Sequence, residues 1–552
     1  MKQKHNIIKL VISIFILNTI SISACTNLLV TKGASKDGST MISYNADAGG
    51  FMEPLYFMKA QDYPEGAMLD VYDWDSGKYL GKIKQVRHTY QVIGNINEYQ
   101  VSIGETTFGG REELRDTTAI IDYGSLIYIA LQRAKTAREA IKIMGELVNE
   151  YGYYSEGESF SVADPNEVWI LEMISKGPSE RGAVWAAVRI PDGYISAHAN
   201  QSRIQYFDVN DKENVMASPD VVSFAIKMKY YDEKKDGKFS FQKAYSPANP
   251  GALLFCEGRV WSLFRRAAPT LNLSTDYWRA VEGAEPYPLY IKPDHLLSVQ
   301  DVISLMRDHF EGTEFDMTKG FAAGPFGNPY RWKGLTWKLS TDTVNQYAWE
   351  RPISTQQTAF AFVSQLRSFL PREIGGILWY GVDDTYSNVY IPLYCSITQP
   401  PKPFVGGSIA ELDLTKGFWV FNLVANLAYT KYSYIIKDIQ EVQSRLENKF
   451  FEFQPAIENT AKELYKENKS LAIEYLTDYS CSQSQIVVDE WLNLWKRLVV
   501  KYNDGYINDV TIEHGRHPKG VGYGDEFFNQ AIKDKPGYYD LKWRKAPKSK
   551  KK

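Results

Sequence analysis

Apolar and polar positions alternate in a strand-like way from residue 25 onward. Residues 25–32 (CTNLLVTK) are apolar-rich, Lys36–Asp37–Gly38–Ser39 supplies Asp-Gly turn chemistry, and residues 40–45 read as the returning strand. Such a hairpin pins residue 25 in a sheet, where a chain end would otherwise fray. Residues 88–108 predict a second strand pair bending at Gly94 and Asn95. The pattern then turns helical. Residues 126–135 are apolar and Ala-rich; Thr136 and Glu139 form a capping box ahead of Ile141, Met144, Leu147 and Val148 on one face, and Gly152 stops the run. Strands resume over 159–174 and 183–200, with turns at Asp164–Pro165–Asn166 and Pro191–Asp192–Gly193. Ser298 and Asp301 cap another helix that Gly312 ends. Residues 316–337 read as ordered loop, 374–394 as strand, and 415–502 as long helix with Pro455 as its main interruption. Strands followed by helices and strands again, joined by reversing turns, predict an α+β fold with helices on the outer faces of antiparallel sheets.

The two ends of the chain change this picture. Lys2, Lys4, His5 and Lys9 precede an apolar run, Leu10–Leu17, broken only by Ser13, and small residues lead to Ala24. Residues 1–24 therefore read as a signal peptide, too short in its apolar part to span a bilayer. The mature protein is expected to be exported, whether periplasmic, secreted or at the cell surface. Residues 25–414 are expected to form a catalytic unit and 415–535 a helical portion packed on it; 536–552 read as a basic, disordered tail. No internal repeat or low-complexity linker separates them. The formal net charge of −3 argues against a nucleic-acid partner. The 37 Tyr, 26 Phe and 13 Trp fit a large core and substrate clefts without specifying a ligand. A homo-oligomer stays open.

Candidate chemistry centres on Cys25. Of four cysteines, Cys256, Cys395 and Cys481 can form one bridge at most if Cys25 is a working thiol, so the fold must stand on its core. Cleavage after Ala24 would leave a thiol and a free α-amine on one residue, the compact arrangement of an N-terminal-nucleophile hydrolase. A thiol near pKa ~8.5 and an α-amine near ~7.7–8.0 are close enough to exchange a proton. The competing reading is a lipobox, Ile22–Ser23–Ala24–Cys25, in which acylation consumes both groups and anchors the chain to a membrane. His514 and His517 lack further ligands and read as exposed loop, so no metal and no cofactor is expected. The stretch Gly104–Gly110 has neither P-loop nor dinucleotide spacing.

Taken together, CTNLLVTKGASKDGSTMISYNAD, GNINEYQVSIGETTF, SAHANQSRI, RDHFEGTEFD and IGGILWYGVDDTYSNVYIPLY resemble the bacterial dipeptidase A/D-type cysteine dipeptidases, relatives of choloylglycine hydrolases and penicillin V acylases. The resemblance runs through nearly all of the mature chain. It implies a four-layer αββα sandwich and hydrolysis of dipeptides. It also implies Cys25 as nucleophile, Asp47 as the acid positioning the α-amine, Asn97 as an oxyanion donor and Asn200 as a substrate-side asparagine. Tyr44 stands where relatives often carry an arginine and is expected to meet substrate instead. The later catalytic arginine of the family falls on Arg259 or Arg203. A general amidase on the same scaffold is the alternative enzyme.

Overall fold

The computed structural model describes residues 25–50, 52–332, 335–511 and 518–541. The expected signal peptide, His514 and His517, and the tail from Lys542 onward lie outside the described residues.

In chain order the principal elements are β1 (Thr26–Val30), β2 (Thr40–Asp47), β3 (Ser102–Gly109), α1 (Tyr123–Leu131), α2 (Ala137–Tyr151), β4 (Gly157–Ala163), β5 (Val168–Ser175), β6 (Ala183–Arg189), β7 (Ile195–His198), α3 (Gly258–Ala267) and α4 (Val299–Met306). They continue with β8 (Thr358–Leu366), β9 (Ile377–Val382), β10 (Ile391–Tyr394), α5 (Gly417–Ala428), α6 (Tyr432–Glu467) and α7 (Lys469–Lys501). One antiparallel sheet runs Tyr290–Ile291, β7, β1, β2, β8, β9, β10. The other runs Val215–Ala217, β6, β5, β4, β3 and then the short strands Ile96–Asn97, Val92–Ile93 and Phe57–Met58.

The sheets lie face to face, with β1 and β2 against β3 and β4. Helices α1 and α2 cover the outer face of the second sheet, and α3 through α7 cover the first. This is the four-layer αββα sandwich expected. The C-terminal helices share one apolar core with the first sheet: Trp379 of β9 stacks on Phe451 at 4.5 Å, and Phe421 on Trp491 at 4.9 Å. Fully burying such a side chain stabilises by roughly 1.5–3 kcal/mol.

Several elements differ from expectation for identifiable reasons. The Pro191–Asp192–Gly193 turn does not join neighbours: β6 belongs to the second sheet and β7 to the first, so the chain crosses the sandwich there. Pro455 does not break the long helix but sits inside α6. Packing of Phe450 before it and Ala461 after it outweighs a local cost of about 3 kcal/mol. The break falls at Asn468, whose extended backbone and side-chain acceptance from Ser470 N at 2.9 Å start α7. α4 carries the full Ser298–Asp301 capping box but ends at Met306, six residues before Gly312. α1 begins at Tyr123 because Asp122 accepts from Gly124 N and Ser125 N. Thr136 caps α2 as expected, but Glu139 reaches back to Lys135 N at 2.8 Å rather than to the cap residue. Residues 374–394 divide into β9 and β10 after a short helical turn, Arg372–Gly375. Cys256, Cys395 and Cys481 form no disulfide with one another.

Candidate active site

The β1–β2 hairpin builds the site. Thr26 pairs with Asn45 and Asn27 with Tyr44, so Cys25 extends β1 by one residue toward Ala46. Cys25 is only 2 % exposed. Its Sγ lies 3.4 Å from the Tyr44 hydroxyl and donates to Glu105 Oε1 of β3 at 3.6 Å. Tyr44 donates to the same carboxylate oxygen. The two sheets close tightly here: Asn27 Nδ2 donates to the Glu105 carbonyl at 2.7 Å, and a Cβ on Gly104 would lie 2.5 Å from Asn27 Oδ1. Only glycine lets the strands approach this far.

Arg259 reaches Cys25 from the opposite side. It follows a π-helical turn, Leu253–Glu257, a local widening of the helix frequent at functional sites. The guanidinium donates to the Cys25 carbonyl at 2.5 Å, Thr26 Oγ1 at 2.8 Å, the Ala199 carbonyl at 2.9 Å and Asn200 Oδ1 at 3.0 Å. Burial, then the nearby Arg351 charge, brings its pKa down to about 9, so it remains a cation at neutral pH. Arg203, the other arginine that the sequence left open, is tied to Glu257 at 3.2 Å and to the carbonyls of Ala197, Tyr287 and Pro288. It braces the scaffold.

Asp47 ends β2 and is buried, accepting from Arg351 at 2.7 Å and from Thr358 Oγ1 at 2.6 Å. Burial raises its pKa against the pull of Arg351. The Cys25 thiol is pushed well up, first by burial and then by the charges of Glu105 and Asp47; bonds from Tyr44 and from the Asp47 backbone oppose this. In this setting sulfur holds its proton until a base takes it.

Cys25, Tyr44 and Asp47 line one cleft with Glu53, Tyr56, Trp74, Asp75, Asn95, Glu105, Tyr123 and Phe360. Asn200 stands behind it, in left-handed backbone conformation (φ 63°), donating to the Thr107 carbonyl and accepting from Arg259.

The structure corrects the reading of Asn97, which does not meet Cys25. Its amide donates to the Leu131 and Ala134 carbonyls at 2.7 and 2.8 Å and accepts from Tyr99 N and Val101 N at 2.9 Å each. With every hydrogen-bonding position used, it ties a tight turn to the end of α1 and has nothing left for an oxyanion. Asn95, two residues earlier, is the asparagine in the cleft wall; it donates to the Ile103 carbonyl. Asn97→Ala is therefore expected to lower stability by about 2–4 kcal/mol through orphaned buried backbone groups. Chemical denaturation measures this; an unchanged midpoint with kcat down by ~10²–10³ would restore the oxyanion role.

Comparison with known proteins finds a family and several relatives. The model of peptidase family C69 matches residues 24–445. A probable dipeptidase of Salmonella dublin is 29 % identical over 402 residues, covering 67 % of this chain and 81 % of the relative. One from Latilactobacillus sakei is 25 % identical over 434 residues, 75 % of this chain and 82 % of the relative. A probable dipeptidase B of Streptococcus pyogenes serotype M1 is 26 % identical over 435 residues, 76 % and 80 % respectively.

Proposed function

The chain belongs to peptidase family C69, and on that premise we propose that it is an exported cysteine dipeptidase whose nucleophile is the N-terminal thiol of Cys25. The names of its relatives support dipeptides as substrates. The observation that carries the mechanism is a buried thiol at the start of a central strand, its own carbonyl clamped by Arg259 and its sulfur opening into a cleft.

In this reading the S–H proton passes to the α-amine of Cys25 as sulfur bonds to the peptide carbonyl carbon. The tetrahedral oxyanion forms near the Asn95 amide, which lines the same cleft. The α-ammonium then gives its proton to the departing amine, leaving a thioester. Water, deprotonated by the same α-amine, attacks the thioester; the acid leaves and the thiol is restored. Arg259 fixes the main chain of Cys25 so that amine and sulfur keep one geometry. The lipoprotein alternative removes both reacting groups, so intact mass of the first peptide separates the two. An unmodified Cys25 terminus, with activity lost on thiol alkylation, is expected. A diacylglyceryl adduct on Cys25 would overturn the enzyme reading. The general amidase differs in cleaving dipeptides and uncharged amides equally well.

A further inference from the structure

The cleft beside Cys25 has an uneven charge balance. Asp47 is paired with Arg351, but Glu53, Glu105 and, at the rim, Asp75 share the wall with no lysine or arginine among the lining residues. Tyr56, Trp74 and Tyr123 supply aromatic surface between them. Trp74 lies edge-on to Tyr56 with ring centres 5.5 Å apart, and Tyr123 donates to Asp75 at 2.8 Å. The buried Tyr56 hydroxyl of this wall has no hydrogen-bond partner among the described residues, and Glu105, a side chain 2 % exposed, shares its hydrogen bonding with Tyr44, Cys25 and the neighbouring Glu158 carboxyl rather than with any cation. Burial and the Asp75 charge push Glu53 up to about 8. Burial also raises Glu105, whose carboxyl adjoins that of Glu158.

Carboxyls withdrawn from water without a counter-ion are costly to ionise, and a cation placed among them removes that cost. Aromatic faces attract the same cation. Among the described residues, no three His, Cys, Asp or Glu side chains converge closely enough to hold a metal ion.

We propose that this wall binds the free α-ammonium of the substrate's N-terminal residue, with Glu53, Asp75 and Glu105 as its acceptors. The acyl group passed to sulfur is then an N-terminal aminoacyl unit. This rests on the reading of Cys25 as the acylated nucleophile. Distances connect the two. A carbonyl carbon poised for attack lies about 3–3.5 Å from sulfur, and the α-nitrogen is two bonds, about 2.5 Å, from that carbon. Glu105 already lies 3.6 Å from sulfur, so an ammonium on that nitrogen falls within reach of the acidic wall. A carboxylate there would be repelled. The bound cation also weakens the negative field that keeps the thiol protonated.

The test uses L-Ala-L-Ala, its N-acetyl derivative and its des-amino analogue. Calorimetry on mature protein carrying Cys25→Ala is expected to show the free dipeptide binding about 100-fold tighter than either analogue, since a site built for a hydrogen-bonded group rejects its absence. Glu53→Gln combined with Asp75→Asn should reduce that ratio to about tenfold or less, with the melting midpoint reporting that the fold survives. In protein with Cys25 intact, the free-to-acetylated ratio of kcat/KM should follow the binding ratio. Equal binding of the three ligands, or a ratio indifferent to the double substitution, overturns the proposal. Amine-selective binding without any turnover in the Cys25 protein would keep it and overturn the dipeptidase mechanism instead.

Discussion

A chain that begins at Cys25 is expected to hydrolyse dipeptides, and the same chain with one extra residue ahead of Cys25 is expected to lose kcat by about 10²–10⁴ while keeping its fold. The added residue leaves the thiol in place but turns its neighbouring nitrogen into an amide, which accepts no proton. The thiol cannot compensate by ionising alone: burial and the charges of Glu105 and Asp47 hold its pKa well up. With Cys25 only 2 % exposed, the added residue also has to enter the cleft. Cys25→Ala should abolish hydrolysis entirely, and Cys25→Ser should keep a small residual rate from a poorer nucleophile. Steady-state rates on a free dipeptide, with melting midpoints recorded in parallel, decide the matter. Normal turnover by the extended chain would place the base elsewhere and end the N-terminal-nucleophile mechanism.

The second large effect concerns stability. Arg351→Leu is expected to cost about 3–5 kcal/mol, because it leaves the Asp47 carboxylate buried without its cation. Asp47 sits at the end of β2 with its oxygens bonded to Arg351 and Thr358. Adding Asp47→Asn to the same protein should recover most of the loss, since a neutral amide needs no counter-charge. On the proposed mechanism catalysis should stay low in the double variant, because the carboxylate expected to position the α-amine is gone. Urea denaturation of the four proteins in the cycle measures the coupling directly. A cost below about 1 kcal/mol for Arg351→Leu would mean that the pair is screened by water, as surface ion pairs are.

The sequence made local features legible. The Asp-Gly turn before β2, the bend at Gly94–Asn95, the Thr136 cap of α2 and the capping box of α4 depend on residues a few positions apart, and the structure keeps them. The export of pattern into three dimensions was harder. Asn95 and Asn97 look alike in the sequence; what separates them is the chain leaving α1, where the Leu131 and Ala134 carbonyls take both hydrogens of the Asn97 amide. Arg203 and Arg259 are both buried cations near carbonyl groups, and only the path of α3 across β1 brings one of them to Cys25. Glu105 lay in plain view within GETTF, but its meaning comes from the stacking of one sheet on the other. Glu53 and Asp75 belong to irregular stretches with no periodicity to flag them. Pro455 misled for the opposite reason: its local preference is strong, and the packing of α6 overrides it.

Cys25 leads into a strand held on both edges, by β7 on one side and β2 on the other. For the proposed processing this sets an order of events in the cell. A leader peptidase needs a segment of open, extended chain, and the bond ahead of Cys25 offers one only until those strands have zipped together. On that proposal, leader removal would race against folding. Transport as an unfolded chain lets the cut come first and yields a working terminus. On the proposed reading, a copy that folds before its leader is cut would close its sheet around an uncut Cys25 and stay inert, so the timing of transport would matter as much as the chemistry of the site.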